Sequence, residues 1–349
     1  MAQVTLKTLA KKLNLSVSTV SKAFRDSFDI SADTKEKILA LAASMNYQPN
    51  AIASSLRTNK SKTIAVILPE IANHFFHLAI DGIESIASEE GYHVLIYLTH
   101  EDYKKEVAFT KLAENKRADA IIVALSQQTN RFSHFADVVS RNIPLVFFDR
   151  IHEHAKAPKV STNDFESSYR ATEHLIKQGC KTIAHLTFSG SPSIAVRRQE
   201  GYLKALRDYN LRSDPSLIVQ STGKNERDLK NIKALLSGKS RPDGIFSGLE
   251  KMAMISYEAC AQLDISIPEE IRIITYSNME IAPLLNPPLS TVTQPAFQIG
   301  RNAAILLFQM LKKGSNYLTR EHLVIDSQLM LRRSTLLSSF FFFLESLPV

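Results

Sequence analysis

The chain has 349 residues, 44% hydrophobic and 22% charged, with 11 Gly, 13 Pro and no Trp. That length holds two or three domains of roughly 150 residues each, and the composition excludes collagen-like, low-complexity and wholly disordered classes. Of the net charge of +7, residues 1–62 contribute ten basic side chains against four acidic ones, leaving +1 for the rest; so compact a cationic module fits a polyanionic partner, although charge alone leaves a solvated basic face open.

Cys180 and Cys260 form neither a CxxC pair nor a zinc-ligand spacing, which argues against a disulfide scaffold or structural zinc. Residues 1–13 are polar and lysine-bearing, without the apolar core of a signal peptide, and no 18 apolar residues run together. The reading is a soluble cytoplasmic protein with no membrane partner.

Thr5 can cap a first helix whose Leu6, Leu9, Ala10 and Leu13 form one apolar stripe. Asn14 tolerates the left-handed conformation of a tight turn, and Ser16 caps a second helix with Val20, Ala23 and Phe24 inward. Ser31 caps a third, with Ile38, Leu41, Ala42 and Met45 on its stripe. Helix, tight turn, helix is a motif that reads DNA, its second helix entering the major groove; by itself the bundle leaves a small protein-interaction domain open. In the DNA reading Val17, Ser18 and Lys22 face base edges, while Ser16, Thr19 and Ser21, with Asn50 further along, face phosphates.

Residues 47–62 read YQPNAIASSLRTNKSK. Pro49 can open a short helix continued by Ala51, Ile52, Ala53, Leu56 and Arg57, too short to be stable alone and therefore a strap that orders on docking.

Three segments carry a family resemblance: VTLKTLAKKLNLSVSTVSKAF, ISADTKEKILALAASMNYQPNAIASSLRT and TIAVILPEIANHFFHLAIDGIE. They resemble the lactose-repressor (LacI-type) family of bacterial transcription regulators, and the likeness extends to about Ser334. The resemblance implies that Leu56, flanked by Ile52 and Ala53, is the hinge-helix leucine that wedges into the minor groove of an operator beside its twin in a homodimer, and kinks the DNA. Without the resemblance, Leu56 reads as a residue packed on the core. Lys22 stands where the family usually has Arg, and Asn14 where it usually has Gly.

Beyond residue 62, apolar strands alternate with helical stretches at 63–69, 93–98, 120–124, 145–149, 182–187, 244–247 and 272–276, with a break near 159–163. Alternation of this kind means parallel sheets. The expectation is an α/β core of two doubly wound parallel-sheet lobes, type I periplasmic-binding-protein-like, behind the all-α helix-turn-helix domain, with 290–293 and 322–326 crossing back. The boundaries read 1–48 for the DNA-binding domain, 49–62 for hinge helix and linker, and 63–335 for the effector-binding core. Within the core, the first lobe takes about 63–160 and 292–321, and the second about 161–291 and 322–335.

Ligands of open α/β sheets bind beyond the carboxyl ends of the strands. Phe75 and Phe76 in NHFF, Asp149 and Arg150 in FFDR, Arg198 in RRQEGY, and Ser277 and Asn278 in IITYSN occupy such places, and the resemblance puts all of them at an effector cleft. Guanidinium, carboxylate and amide groups between aromatic walls suit a sugar or similar polyol; singly, each residue reads as core, strand-end cap or surface ion pair. The family commonly has an Asn-Asp pair where Leu249 and Glu250 stand, and a carboxylate where Ser277 or Asn278 stands, which points to a less charged or differently shaped effector.

No GxGxxG, GxxxxGK[ST], GxSxG or HExxH occurs, so neither an enzyme nor a cofactor is expected. His152 and His154 read as a solvated turn. A free-standing solute-binding protein shares the core architecture but lacks a basic trihelical head. The apolar tail, 336–349, contains Phe340 to Phe343 in a row, is too short to span a bilayer, and has no assigned role.

Overall fold

The computed structural model describes residues 4–24, 28–47, 60–115, 117–188, 193–238 and 240–336. Asn50, Ile52, Ala53 and Leu56, and the tail from residue 337 onward, lie outside them. The chain divides into two compact units, Met1–Ser61 and Lys62–Val349.

In the first unit, α1 (Leu6–Leu13) begins at a reciprocal capping box: Thr8 N donates to Thr5 Oγ1 at 3.3 Å and Thr5 N to Thr8 Oγ1 at 3.4 Å. Asn14 ends it in the left-handed region at φ 56°, which lets Leu15 N reach back to Ala10 O at 3.0 Å. Ser16 caps α2 (Val17–Ala23) by accepting from Thr19 N at 3.0 Å. Ser31 precedes α3 (Ala32–Ser44) in extended conformation, but its hydroxyl pairs with that of Thr34 and caps no helix N–H, a correction to its expected role. Leu9, Ala10, Val20, Ala23, Ile38 and Ala42 form the buried centre.

The second unit holds two six-stranded sheets. The strands are β1 (Thr63–Leu68), β2 (His93–Leu98), β3 (Ala120–Val123), β4 (Leu145–Phe148), β5 (Lys159–Thr162), β6 (Ile183–Thr187), β7 (Ile218–Gln220), β8 (Gly244–Ser247), β9 (Arg272–Tyr276), β10 (Ser290–Thr293), β11 (His322–Ile325) and β12 (Gln328–Met330). The first sheet runs β11-β5-β4-β3-β1-β2, all parallel, and the second β12-β10-β9-β8-β6-β7, parallel except for the β10 to β12 pair. Near-continuous apolar runs such as TIAVIL fit strands covered on both faces.

Two expected assignments are corrected. Residues 322–325, placed by sequence in the second lobe, pair with β5 in the first sheet, Leu323 opposite Val160. Residues 292–293, placed in the first lobe, belong to β10 of the second. A strand of four residues pairs with whichever edge the chain reaches, and its own pattern names no edge. The chain therefore crosses between lobes after β5, after β10, and between β11 and β12.

The helices of this unit are α4 (His74–Glu89), α5 (Tyr103–Glu114), α6 (Ser133–Ser140), α7 (Asp164–Lys177), α8 (Ser193–Asp208), α9 (Asn225–Ser237), α10 (Glu250–Gln262) and α11 (Ala296–Lys313). Helices α7 and α8 cross closely at Gly201, where a Cβ would stand 2.2 Å from Phe165 O. No helix among the described residues is long and apolar enough to cross a membrane.

Candidate functional site

On the head, α2 turns Val20 and Ala23 inward and leaves Val17 41% exposed and Ser18 exposed. Ser16 Oγ bonds the hydroxyls of both Ser18 (2.7 Å) and Thr19 (2.8 Å), so the cap orders the hydroxyls of the helix's first turn. Lys22 Nζ pairs with Asp29 Oδ2 at 2.7 Å, both half-exposed. Ser21 lies half-buried on the same short helix. Sequence reasoning did not see the Asp29 contact.

In the core, all eight residues expected at the cleft line one cavity of about 60 Å³: Phe75, Phe76, Asp149 and Arg150 from the first lobe, Arg198, Leu249, Ser277 and Asn278 from the second. Phe188, Tyr276 and Gln294 line it too and were missed; Glu250, named beside Leu249 at the family's Asn-Asp position, also lines it. A groove of about 610 Å³ adjoins it, sharing Asp149 and Ile194.

Arg198 is set by packing. Gly201, one turn on, lets α8 approach α7, and Arg198 Nε then donates to Asp164 Oδ1 at 2.7 Å. Its Nη1 donates to Gly248 O at 2.7 Å, and the guanidinium lies 3.5 Å from the Tyr276 ring centre. The Tyr276 hydroxyl is fixed in turn by Ser167 (2.7 Å) and Ser168 (2.9 Å). Taken alone, Arg198 read as a surface ion pair; the pair is buried.

Arg150 Nη1 donates to both carboxylate oxygens of Glu101, at 2.7 and 2.9 Å, and the guanidinium lies between the rings of Phe76 and Phe188. Its Nε is buried without a hydrogen-bond partner, 4.0 Å from Asp149 Oδ2, and Asn278 Oδ1 on the opposite lobe is likewise buried without one. Asp149 ends β4 at φ 56°, a strained conformation for a residue with a side chain. Burial pushes its carboxyl up to about 6 against the pull of Arg150 and Arg198. Burial likewise raises Asp164, with Arg198 opposing.

Besides the Arg150–Phe188 contact and the bond from Gln294 Nε2 to Thr162 Oγ1 (3.2 Å), polar contacts join the lobes around the cavity. Ile151 N donates to Ser193 Oγ (3.0 Å), Arg197 pairs with Glu153 (3.2 Å), and His74 Nδ1 lies 3.2 Å from Glu250 Oε1. Ser277 Oγ donates to Glu250 Oε2 at 2.6 Å. The sequence signal for Glu250 was its place where the family commonly has an Asn-Asp pair; Glu101 and His74 had none.

The expected solvated turn at His152 and His154 is corrected in part: His154 is exposed, but His152 is half-buried, its ring 3.7 Å from that of Phe132 and nearly parallel.

A helix-turn-helix head and a bilobed core with a polar cavity between its lobes define a ligand-responsive DNA-binding regulator. Residues 5–50 match the bacterial regulatory proteins of the lacI family, and 172–335 match a periplasmic binding protein-like domain. The chain is 32% identical over 310 residues to the HTH-type transcriptional repressor PurR of Vibrio atlanticus, covering 88% of this chain and 92% of that one. It is 31% identical over 332 residues to the ribose operon repressor of Haemophilus influenzae, covering 95% and 98%. The lac repressor dimer bound to operator and the anti-inducer ONPF superposes with a TM-score of 0.85 at 21% identity, covering 96% and 100%. A LacI family regulator from Enterococcus faecium with bound ribose gives 0.69 at 25%, covering 78% and 98%. The chain belongs to the LacI family of bacterial transcription regulators, and it is not an enzyme.

Proposed function

We propose that the protein is a homodimeric repressor that binds a pseudo-palindromic duplex operator through α2 and releases or retains it according to a small hydroxylated effector, a sugar, in the interlobe cavity. The observation that carries this reading is the convergence in that cavity of eight cleft residues, with an unpaired donor, Arg150 Nε, on one lobe and an unpaired acceptor, Asn278 Oδ1, on the other. A hydroxyl both accepts and donates, so a polyol satisfies both lobes at once and favours the arrangement that joins them.

On the head, Val17, Ser18 and Lys22 read bases, and Ser16, Thr19, Ser21 and Asn50 hold phosphates. Ile52, Ala53 and Leu56 are assigned to the minor groove on the family resemblance. Dimerisation is supported by apolar surface: Leu95 and Ile96 are exposed on β2, an edge strand, and Leu284 is 81% exposed in the second lobe. The ribose operon repressor among its relatives and the ribose-bound neighbour favour a sugar effector.

The test is selection of duplexes from a random pool by the full chain, then footprinting with and without a panel of sugars and nucleobases. Two half-sites about one helical turn apart are expected, with occupancy shifted by a panel member. A protein that prefers no duplex over random competitor at moderate salt, with or without the panel, refutes the reading.

A further inference from the structure

Two arginines and the N-termini of α4 and α10 face the effector cavity. Taken alone, that set suits an anion. Each positive group is already answered. Glu101 holds Arg150 with both oxygens, Asp164 holds Arg198, Asn73 Oδ1 accepts from Phe75 N at the start of α4, and Glu250 is itself the first residue of α10. Three further carboxylates line the cavity: Asp149, whose Oδ2 lies 4.0 Å from Arg150 Nε, Glu70, which is exposed, and Glu250, which has no arginine beside it.

Glu250 is the best placed to discriminate. Its side chain is 16% exposed, and its partners are a serine on its own lobe and His74, 45% exposed, on the other. The unpaired Asn278 Oδ1 requires a donor from the ligand. The charged group of a sugar acid or sugar phosphate brings acceptors only, so it cannot pair with that oxygen where a hydroxyl could, and it meets the carboxylates of Asp149 and Glu250 at close range. A neutral polyol brings donors to all three oxygen sites and an acceptor for Arg150 Nε.

We propose that Glu250 makes this cavity selective for an uncharged polyhydroxy effector over a sugar acid or sugar phosphate, accepting ligand hydroxyls and repelling anions. The inference rests on the reading of the cavity as the effector site. The test is isothermal titration calorimetry on the full chain with D-ribose, D-glucose and D-galactose. D-ribonate, D-gluconate, D-galactonate, ribose 5-phosphate and glucose 6-phosphate serve as the matched anions. At least one neutral sugar binds, and its anionic counterpart is weaker by about 100-fold, the scale of one repelled charge in a partly desolvated site.

Glu250→Gln weakens the neutral sugar about tenfold, the difference between a charged and a neutral acceptor, and narrows the discrimination. His74→Ala leaves the carboxylate in place and keeps it. Tighter binding of an anion than of its parent sugar by the wild type overturns the selectivity and leaves the cavity assignment standing; so does undiminished discrimination in folded Glu250→Gln. If no panel member binds, the effector reading falls with it. The wild-type comparison needs no variant, so a Glu250→Gln chain that misfolds does not shield the proposal.

Discussion

Arg198→Ala is the perturbation with the most to reveal, because the structure places the guanidinium in a buried ion pair at the heart of the cavity. Removing it leaves Asp164, itself buried, with Thr162 Oγ1 at 3.1 Å as a remaining side-chain donor, and strips one donor from Gly248 O. Breaking a buried pair from one side destabilises by about 3–5 kcal/mol. In the wild type, burial raises Asp164 and Arg198 restrains it, so the variant's carboxyl rises further. A carboxyl whose folded pKa exceeds its unfolded value holds in the folded state a proton that the unfolded state has released, so stability falls as pH climbs through that window. The loss is therefore larger at pH 8 than at pH 5. Adding Asp164→Asn to Arg198→Ala removes the stranded charge and restores most of the loss at pH 8. Urea denaturation followed by circular dichroism at both pH values, on wild type, single and double variants, reads all three effects. A loss below about 1 kcal/mol that ignores pH and is untouched by the second substitution is the signature of a solvated pair, and would falsify the placement.

Asp149→Asn should raise stability at pH 7.5: the wild-type carboxyl, lifted from 3.8 to about 6, forfeits about 3 kcal/mol as pH rises across that interval, and a variant with the wild-type pH profile refutes the assignment. Lys22→Ala should weaken binding to the selected duplex by about 1–3 kcal/mol and relax preference at one base position; an equal loss on every sequence reassigns Lys22 to phosphate. Asp29→Asn, which frees Lys22 from its ion pair, should tighten the same complex, and weaker binding in a salt titration counts against competition between Asp29 and DNA. Glu106→Ala should destabilise by about 3 kcal/mol, because the buried carboxylate accepts from Ser126 N, Thr129 Oγ1 and His134 Nε2; an unchanged thermal midpoint contradicts that network.

What could be read from the sequence was whatever short-range chemistry dictates. Thr5, Asn14 and Ser16 bracket helices through contacts only a few residues away, and those elements came out as expected. Ser31 shows the limit even of local rules, since its hydroxyl had a neighbouring Thr34 to choose instead of a helix N–H. Apolar runs marked most strands of both sheets, but β5, read from the sequence as a break, β7 and β12 went unmarked, since KVST, IVQ and QLM are too short or too polar to stand out. Asp149, Arg150, Ser277 and Asn278 were legible as strand-end positions, while Phe75, Phe76 and Arg198, which lie on helices, were placed at the cleft by the family resemblance.

The tertiary structure alone decided the partners. Arg150 and Glu101 are 49 residues apart, Arg198 and Asp164 34, and His74 and Glu250 176, and no periodicity relates positions at such distances. The same holds for β11, whose four residues pair with β5 because that edge of the first sheet was open to them. Composition and pattern thus determined a cationic three-helix head and a two-sheet core with a cavity at its strand ends. Which charges neutralise which, and so what the cavity can accept, was settled only when folding removed water from groups that the chain keeps far apart, since desolvation is what forces each buried charge to find a partner.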